Sequence, residues 1–72
     1  MSKSKYDVME IVKEGIDVVV SASKLSKYDL IEIVKSVKSG SHITIVDTEG
    51  KSKYDLIEIA KSATKGSLTL HL

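Results

Sequence analysis

Apolar residues recur at helical spacing in three stretches of this 72-residue chain. In the middle stretch, Leu30, Ile33, Val34 and Val37 fall on one side of a helical projection, and Glu32 falls on the other. This spacing is typical of an amphipathic helix that buries one face. The corresponding apolar positions of the other two stretches are Val8, Ile11 and Val12, and Leu56, Ile59, Ala60 and Ala63. The pattern therefore predicts three helices of similar character.

The three predicted helices begin with the same four residues, Ser-Lys-Tyr-Asp. Ser4, Ser26 and Ser52 are each followed three residues later by an aspartate. In a capping box the serine oxygen accepts a backbone N–H, and the acid reaches back to the N–H of the serine. We therefore expect helices to start near residues 5, 27 and 53.

A glycine follows each apolar stripe, at Gly15, Gly40 and Gly66. Glycine adopts the left-handed conformation after the last turn of a helix without steric cost, so each glycine predicts a helix end. Tyr6 and Gly15 are nine residues apart, whereas the corresponding pairs in the other two stretches are twelve apart. This difference predicts a first helix that is one turn shorter than the others.

Apolar and polar residues alternate with a period of two after each glycine, as in half-buried strands. One face of these strands is apolar and is expected to lie under the helices: Ile16, Val18 and Val20; Ile43 and Ile45; Leu68, Leu70 and Leu72. The other face is half polar: Asp17 and Val19; Thr44 and Val46; Thr69 and His71. The linkers at residues 21–25 and 47–51 lead to the next helix and are expected to be too short for a further element.

The predicted element order is α-β-α-β-α-β, which places the chain in the α/β class. Strands that are joined through a helix and short loops lie parallel, with right-handed connections. We therefore predict a three-stranded parallel sheet in the order 1-2-3, with three helices on one face. The three helix–strand units span about residues 4–21, 26–47 and 52–72 of a single domain.

The three units also share their sequence, which indicates a tandem repeat. Residues 4–12 read SKYDVMEIV, residues 26–34 read SKYDLIEIV, and residues 52–60 read SKYDLIEIA. The helix-then-strand order, the period and the strand Leu68-Thr69-Leu70 resemble the leucine-rich repeat family in architecture. The resemblance implies a solenoid-like stack and carries over no functional residues, because the asparagine of that family's strand motif has no counterpart in a chain without Asn. A natural repeat and a designed one both fit this sequence.

Composition narrows the functional classes. The chain contains no cysteine, which excludes disulfides and thiolate metal sites, and its net charge of +1 argues against a general polyanion binder. No stretch approaches the ~18 apolar residues of a membrane span, and no apolar signal segment opens the chain. We therefore expect a cytoplasmic protein without a membrane span.

The predicted sheet leaves apolar surface uncovered. Parallel sheets are almost always covered on both faces, and unguarded edge strands pair with other chains. No proline or lysine guards the last strand, and a core of this size supplies only ~3–5 kcal/mol without help. We therefore expect a homo-oligomer that forms by strand-edge pairing, by stacking of the open sheet face, or by both; a marginal monomer is the alternative. The residues expected to form this assembly surface are Leu68, Leu70, Leu72, Val19 and Val46.

A second candidate surface lies where the helices begin. Lysines occur at or just before each predicted helix start: Lys3, Lys5, Lys24, Lys27, Lys51 and Lys53. Helix N-termini attract anions and tyrosines stack on bases, so this surface would suit phosphate, nucleic acid or acidic lipid headgroups. Against this alternative, the capping residues already occupy those N–H groups, and no arginine is present to read bases. The anion rim of this alternative comprises Lys5, Lys27, Lys53, Tyr6, Tyr28 and Tyr54.

No constellation in the sequence predicts catalysis. The serines lie in capping and linker positions, the glycines are scattered singly, and Asp29 and Glu32 fall on a polar helix face beside Lys35. His42 and His71 could bind a metal weakly only with an aspartate from a strand end, and we expect solvent-facing sheet residues instead. The sequence therefore predicts a non-enzymatic assembly module without cofactor or metal. The alternative is a small binding module for a polyanion at the rim, or for a protein partner on the open sheet face.

Overall fold

Helices and strands alternate along the chain. The computed structural model describes residues 4–72, and within them the elements follow the predicted order. The helices are α1 (Lys5–Val12), α2 (Lys27–Lys35) and α3 (Lys53–Ser62), and the strands are β1 (Val18–Ser21), β2 (Ile43–Val46) and β3 (Leu68–Leu70). The helices begin at the residues that the Ser-Lys-Tyr-Asp pattern predicts. We refer to residues 4–21, 26–47 and 52–72 as units 1, 2 and 3.

The strands form one parallel sheet with β2 in the centre. Two rows of inward-facing apolar residues cross this sheet in register, Val18–Ile43–Leu68 and Val20–Ile45–Leu70. The prediction of an α/β fold with strand order 1-2-3 is confirmed.

The hydrophobic core lies between the sheet and the helices. Ile43 and Ile45 of β2 are fully buried, as is Leu30 of α2. Because α2 packs against both α1 and α3, the middle unit has a neighbour on each side. On the opposite face of the sheet, Val19 and Thr69 are exposed. The helices therefore cover one face of the sheet.

The predicted serine caps form in one direction only. The Oγ atoms of Ser4, Ser26 and Ser52 accept hydrogen bonds from the backbone N–H groups of the aspartates three residues later, at 3.2, 3.1 and 3.1 Å. The return bond of a capping box is not formed in the described part of the chain. The carboxylates of Asp29 and Asp55 instead contact a lysine of the preceding helix. A cation is a stronger partner for a carboxylate than a neutral backbone N–H is.

Two of the glycines close turns rather than helices. α2 ends at Lys35, and Gly40 lies in a later turn that is closed by a 3.0 Å hydrogen bond from the Ser41 N–H to the Lys38 carbonyl. Gly40 is the third residue of this turn and has a φ of +88°. A type II turn requires positive φ at this position, which favours glycine. Gly66 takes the same position in the turn before β3, so the prediction that these two glycines end helices is wrong.

The linkers contain an element that the sequence prediction excluded. Each linker forms one turn of 3-10 helix, over Ala22–Lys24 and Thr48–Gly50. Three residues suffice for such a turn, so the expectation that these segments are too short is wrong. The two turns pack on each other, and Ala22 and Thr48 are buried. They therefore extend the core past the ends of the strands.

Two further boundary predictions need correction. α1, α2 and α3 contain 8, 9 and 10 residues, so the first helix is not a full turn shorter than the second. The spacing between tyrosine and glycine does not measure the length of the helix, because it also includes the connecting turns.

Ile16 and Leu72, which were expected to face the core, lie outside the strands and are 51% and 99% exposed. The strands extend only as far as they have pairing partners, from Val18 in β1 and to Leu70 in β3.

Leu30→Ala is expected to destabilise the fold strongly. Leu30 is fully buried, and truncation of a buried leucine costs about 2–5 kcal/mol. The whole core supplies only ~3–5 kcal/mol, so urea should unfold this variant at a much lower concentration. Leu72→Ala makes the same chemical change at a side chain that is 99% exposed and should leave the urea midpoint unchanged. Equal midpoints in the two variants, measured by circular dichroism at low micromolar concentration, would contradict the core described above.

Candidate functional site

Lysine–carboxylate contacts join each helix to the next. Lys5 is the first residue of α1, and its Nζ lies 3.2 Å from Oδ1 of Asp29 and 3.1 Å from Oε1 of Glu32 on α2. The lysine side chain is 20% exposed, so its aliphatic stem is covered by the neighbouring helix. This single cation therefore bridges two carboxylates and fixes α1 beside α2.

The same contact recurs between α2 and α3. The Nζ of Lys27 lies 3.6 Å from Oδ1 of Asp55 and donates a 2.8 Å hydrogen bond to Oε1 of Glu58. It recurs because adjacent helices carry the same Lys-x-Asp-x-x-Glu pattern in the same register. This register brings the first residue of one helix next to the third and sixth residues of the following helix. We call these two contacts together the lysine ladder.

The ladder raises the pKa of both lysines above the ordinary value of about 10.5. For Lys5 the largest cause is the hydrogen bond to Glu32, followed by the one to Asp29. For Lys27 the largest cause is the hydrogen bond to Glu58, and partial desolvation opposes it. Because the folded-state pKa lies above the ordinary value, the contribution to stability is complete below about pH 10.5. It is lost as the pH rises through the raised pKa.

The tyrosines of the predicted anion rim face solvent. Tyr6, Tyr28 and Tyr54 are 68%, 69% and 70% exposed, so most of each ring does not pack between units. The lysine that precedes each tyrosine lies over its ring, with Nζ 5.1, 4.9 and 5.2 Å from the centroid. This is a cation–π geometry. Lys53 thus makes the same contact with its tyrosine as the two ladder lysines do.

The rim lysines are less available to an anion than the sequence suggests. Lys5 and Lys27 are occupied by carboxylates, and Lys51 donates a 2.9 Å hydrogen bond to the carbonyl of Ala22. Lys24 and Lys53 are exposed, and Lys3 lies outside the described residues. Each helix start also carries two carboxylates for its one ladder-type lysine. Along the helix starts these six carboxylates balance the six lysines, so the rim has no net positive charge to attract a polyanion.

His42 ties the second unit to both neighbours. Its backbone N–H donates to Oδ1 of Asp17 at 2.9 Å. Its Nδ1 lies 3.2 Å from the carbonyl of Gly66, and its Nε2 lies 2.6 Å from Oγ1 of Thr69. Because a carbonyl only accepts, Nδ1 carries the proton, and in the neutral ring Nε2 accepts from the threonine hydroxyl. The ring is thereby held on the open face of the sheet.

His71 has a different role, since its backbone carbonyl accepts a 2.6 Å hydrogen bond from the hydroxyl of Thr48. Its side chain is exposed. Over residues 4–72, no group of three or more histidine and acidic side chains is arranged to hold a metal ion. The hydrogen bonds of His42 therefore give that histidine a structural role in connecting the strands.

The two edges of the sheet are formed by β1 and β3. Beside β1 lies a groove of about 320 Å³, here called the N-terminal groove, whose apolar lining includes Val8, Ile11, Val18, Val20 and Leu25. Beside β3 lies a groove of about 290 Å³, the C-terminal groove, whose apolar lining includes Ala60, Ala63, Leu68 and Leu70. Each groove is lined by residues of a single unit and its adjoining linker, between an edge strand and its helix.

The residues predicted to form an assembly surface are divided between these features. Leu68 and Leu70 are half-buried and line the C-terminal groove. Val19 is 69% exposed at the opposite edge of the sheet. Val46 is half-buried on the central strand, and Leu72 lies beyond β3. Three of the five residues therefore lie on the two edge strands, and the five do not form one continuous patch.

Sequence reasoning missed the lysine ladder and the bonds of His42. The signal for the ladder was present, because every unit carries the same Lys-x-Asp-x-x-Glu pattern. The pattern becomes informative only once the helices are known to lie side by side in register. No sequence signal identifies the partners of His42, because Asp17 and Thr69 lie 25 and 27 residues away.

Comparison with known proteins gives no assignment: no family model matches the chain, and no curated protein or solved structure is significantly similar to it. Within residues 4–72, none of the helices has both the length and the apolar character needed to cross a membrane.

Glu58→Gln is expected to lower the pKa of Lys27 and leave that of Lys5 unchanged. The substitution removes the charged acceptor that contributes most to the shift at Lys27, whereas Lys5 contacts Glu32 one unit away. Glu32→Gln is the matched control and should have the reverse effect. Titration of the lysine side-chain resonances by NMR measures both values. If one glutamine variant lowered both pKa values, or neither, the two contacts would not be the separate local pairs described here.

Proposed function

We propose that this chain is a non-enzymatic structural module, built of tandem helix–strand units, that assembles with further copies of itself through the edges of its sheet. The observation that carries the proposal is the apolar groove beside each edge strand. An edge strand offers a row of backbone donors and acceptors to another strand. A groove beside it adds apolar surface that only a closely packed partner would bury.

The small size of the core supports the same conclusion. The fully buried side chains belong mainly to the middle unit and to the faces that unit covers, for example Leu30, Ile43 and Ile59. Units 1 and 3 each have one neighbour, so part of their apolar surface faces water. Small domains of this kind usually gain stability from a staple, a ligand or a partner, and the chain has no cysteine for a disulfide.

Edge pairing is favoured over stacking of the open sheet face. The open face presents Thr44 and Thr69 in register with Val19, and the ring of His42 lies against it through its bond to Thr69. Two such faces would have to desolvate several polar groups to meet. Sheets that stack face to face normally do so through apolar rows.

The polyanion-binding alternative is not favoured by the geometry. The lysines that would form the rim face a larger number of carboxylates, and two of them already bind those carboxylates. An incoming phosphate would have to displace these partners and would meet no net positive charge. A protein partner that adds a strand to an edge would use the surface proposed here, and it differs from self-assembly only in the identity of the second chain.

Thr69→Lys and Thr44→Lys separate edge pairing from face stacking. Both side chains lie on the open face in the same register row, but Thr69 is on edge strand β3 and Thr44 is on the central strand. A lysine guards an edge strand against pairing, so Thr69→Lys should weaken self-association by about tenfold or more, because the long charged side chain would lie beside the partner strand. Thr44→Lys should leave self-association nearly unchanged.

Sedimentation equilibrium over a hundredfold concentration range measures these effects, with circular dichroism as the control for folding. The wild-type chain is expected to give a concentration-dependent mass above that of the monomer, which is 7.9 kDa. A folded wild-type monomer at high micromolar concentration contradicts the proposed function. A loss of association in Thr44→Lys as well as in Thr69→Lys would instead place the contact on the sheet face.

A further inference from the structure

We propose that copies of this chain stack head to tail, with unit 3 of one copy packed on unit 1 of the next as consecutive units pack within one chain. The inference rests on the proposed self-assembly and specifies its geometry and its charged contact. The partner of each end is thus the opposite end of a second copy. Both ends are incomplete without it, because each lacks the neighbour that the middle unit has.

The burial of one isoleucine position shows what the N-terminal end lacks. Ile11, Ile33 and Ile59 occupy the same position in the three units. Ile33 and Ile59 are 0% exposed, whereas Ile11 is 37% exposed and lines the N-terminal groove. The difference arises because units 2 and 3 have a preceding unit to pack on and unit 1 has none. A preceding unit from another copy would bury Ile11 as its two counterparts are buried.

The C-terminal end shows the converse pattern. Val12 and Val34 are buried, and each is followed along the stack by another unit. Their counterpart in unit 3 is Ala60, which is exposed and lines the C-terminal groove. This position therefore belongs to the surface that receives the next unit. Ile11 and Ala60 are thus apolar positions at the two ends of the molecule that a further unit would cover.

The charged groups at the two ends are complementary as well. Lys53 is the counterpart of the two ladder lysines, and it is exposed on the side of α3 that faces away from α2. Asp7 and Glu10 are the counterparts of the ladder carboxylates on α2 and α3. Together with Ile11 they line one outer surface of α1. A head-to-tail contact would place Lys53 of one copy between Asp7 and Glu10 of the next, as a third step of the lysine ladder.

The side-chain geometry supports that third step. The Nζ of Lys53 lies 5.2 Å from the ring centroid of Tyr54, close to the 5.1 and 4.9 Å found in the other two units. Lys53 therefore lies at nearly the same distance from its own tyrosine ring as the two ladder lysines do. Little side-chain ordering would be needed when the second copy binds, which favours association.

The backbone hydrogen bonds between adjacent strands also fit a head-to-tail contact. The N–H of Val18 donates to the carbonyl of His42 at 3.0 Å, and the N–H of Ile43 donates to the carbonyl of Ser67 at 2.8 Å. In register, the next bond of this series runs from the N–H of Leu68 to the carbonyl of Asp17 in the following copy. The sheet would thus continue in parallel across the contact, with β1 of one copy beside β3 of another.

A contact of this kind is heterologous, because the two joined surfaces differ. Heterologous contacts give a ring if the rotation between copies closes and an open filament if it does not. A twofold dimer in which β3 of one copy pairs with β3 of another is the competing arrangement. In that dimer Lys53 of both copies would lie at the contact, and Asp7 and Glu10 would lie at the outer ends.

A charge-swap experiment distinguishes the two arrangements. One variant carries Lys53→Glu, and the other carries Asp7→Lys with Glu10→Lys. In a head-to-tail contact each variant alone faces like charges, so its self-association should weaken by about tenfold or more. In an equimolar mixture, each contact between one variant and the other joins opposite charges. Association of the mixture should therefore return to near the wild-type value. Lys38→Glu, the same charge change in an exposed turn of the middle unit, should have little effect.

Sedimentation velocity of each protein and of the mixture measures association, and circular dichroism melts at low concentration confirm that each variant folds. Recovery in the mixture supports the head-to-tail contact. If the wild type associates but the mixture does not recover, or if Asp7→Lys/Glu10→Lys associates as the wild type does, the head-to-tail contact is overturned and self-assembly stands. A wild type that remains monomeric overturns both proposals.

Ala60→Val provides a second test that does not depend on charge. It installs the side chain that units 1 and 2 carry at the corresponding position, Val12 and Val34. Valine lowers helix propensity slightly, so the isolated chain should gain no stability. The added side chain would fill part of the C-terminal groove and pack on Ile11 of the next copy, which should tighten association several-fold, by about 2–10 times. Unchanged or weaker association of the folded variant would contradict the packing of these two ends.

Discussion

The packing of one helix–strand unit against the next is the contact on which the rest of this structure depends. A single unit cannot bury both faces of its helix and both edges of its strand, so it has no core of its own. Only the middle unit is enclosed, and its Leu30, Ile43 and Ile45 form the centre of the core. Units 1 and 3 each contribute one covering surface and retain one surface that faces water. The lateral contact therefore sets the fold, its small stability and its proposed function together.

The polar contacts between units act mainly to fix their register. Lys5 and Lys27 each bridge two carboxylates of the following helix, and His42 reaches both neighbouring strands through Asp17 and Thr69. Exposed ion pairs add little to stability on average. Their value here is positional, because a slip along the helix axis or the strand would separate every one of these partners at once.

This view also explains why a surface rich in lysine and tyrosine need not bind an anion. The lysines lie at helix N-termini, where an anion site would be expected, but the serine caps and neighbouring carboxylates already satisfy the groups that would bind it. Of the side chains that suggest ligand binding in a linear reading, Lys5 and Lys27 form the contacts between units. The corresponding contacts are left open at the two ends of the chain, which is the physical basis for proposing that the chain binds itself.

The helix starts, the parallel order of the strands and the inward-facing rows of the sheet could be predicted from the sequence. These features depend on local capping and on the period of apolar residues, and both can be read over a few positions. The connecting turns at Gly40 and Gly66 and the 3-10 turns at Ala22–Lys24 and Thr48–Gly50 were misjudged. They depend on how much chain is needed to join elements whose separation the sequence does not give.

The pairs of polar groups that contact each other depend on tertiary packing and could not be predicted from the sequence. Lys5 and Glu32 are 27 residues apart and His42 and Thr69 are equally distant along the chain, so no local pattern links them. Their contact follows from the distance between adjacent helices and strands after packing. Likewise, Ile11 and Ile33 occupy the same position in their units and differ in burial only because one unit has a neighbour before it and the other has none. The sequence of a unit determines which apolar and charged groups lie on its surface. The position of the unit among its neighbours determines whether that surface is buried.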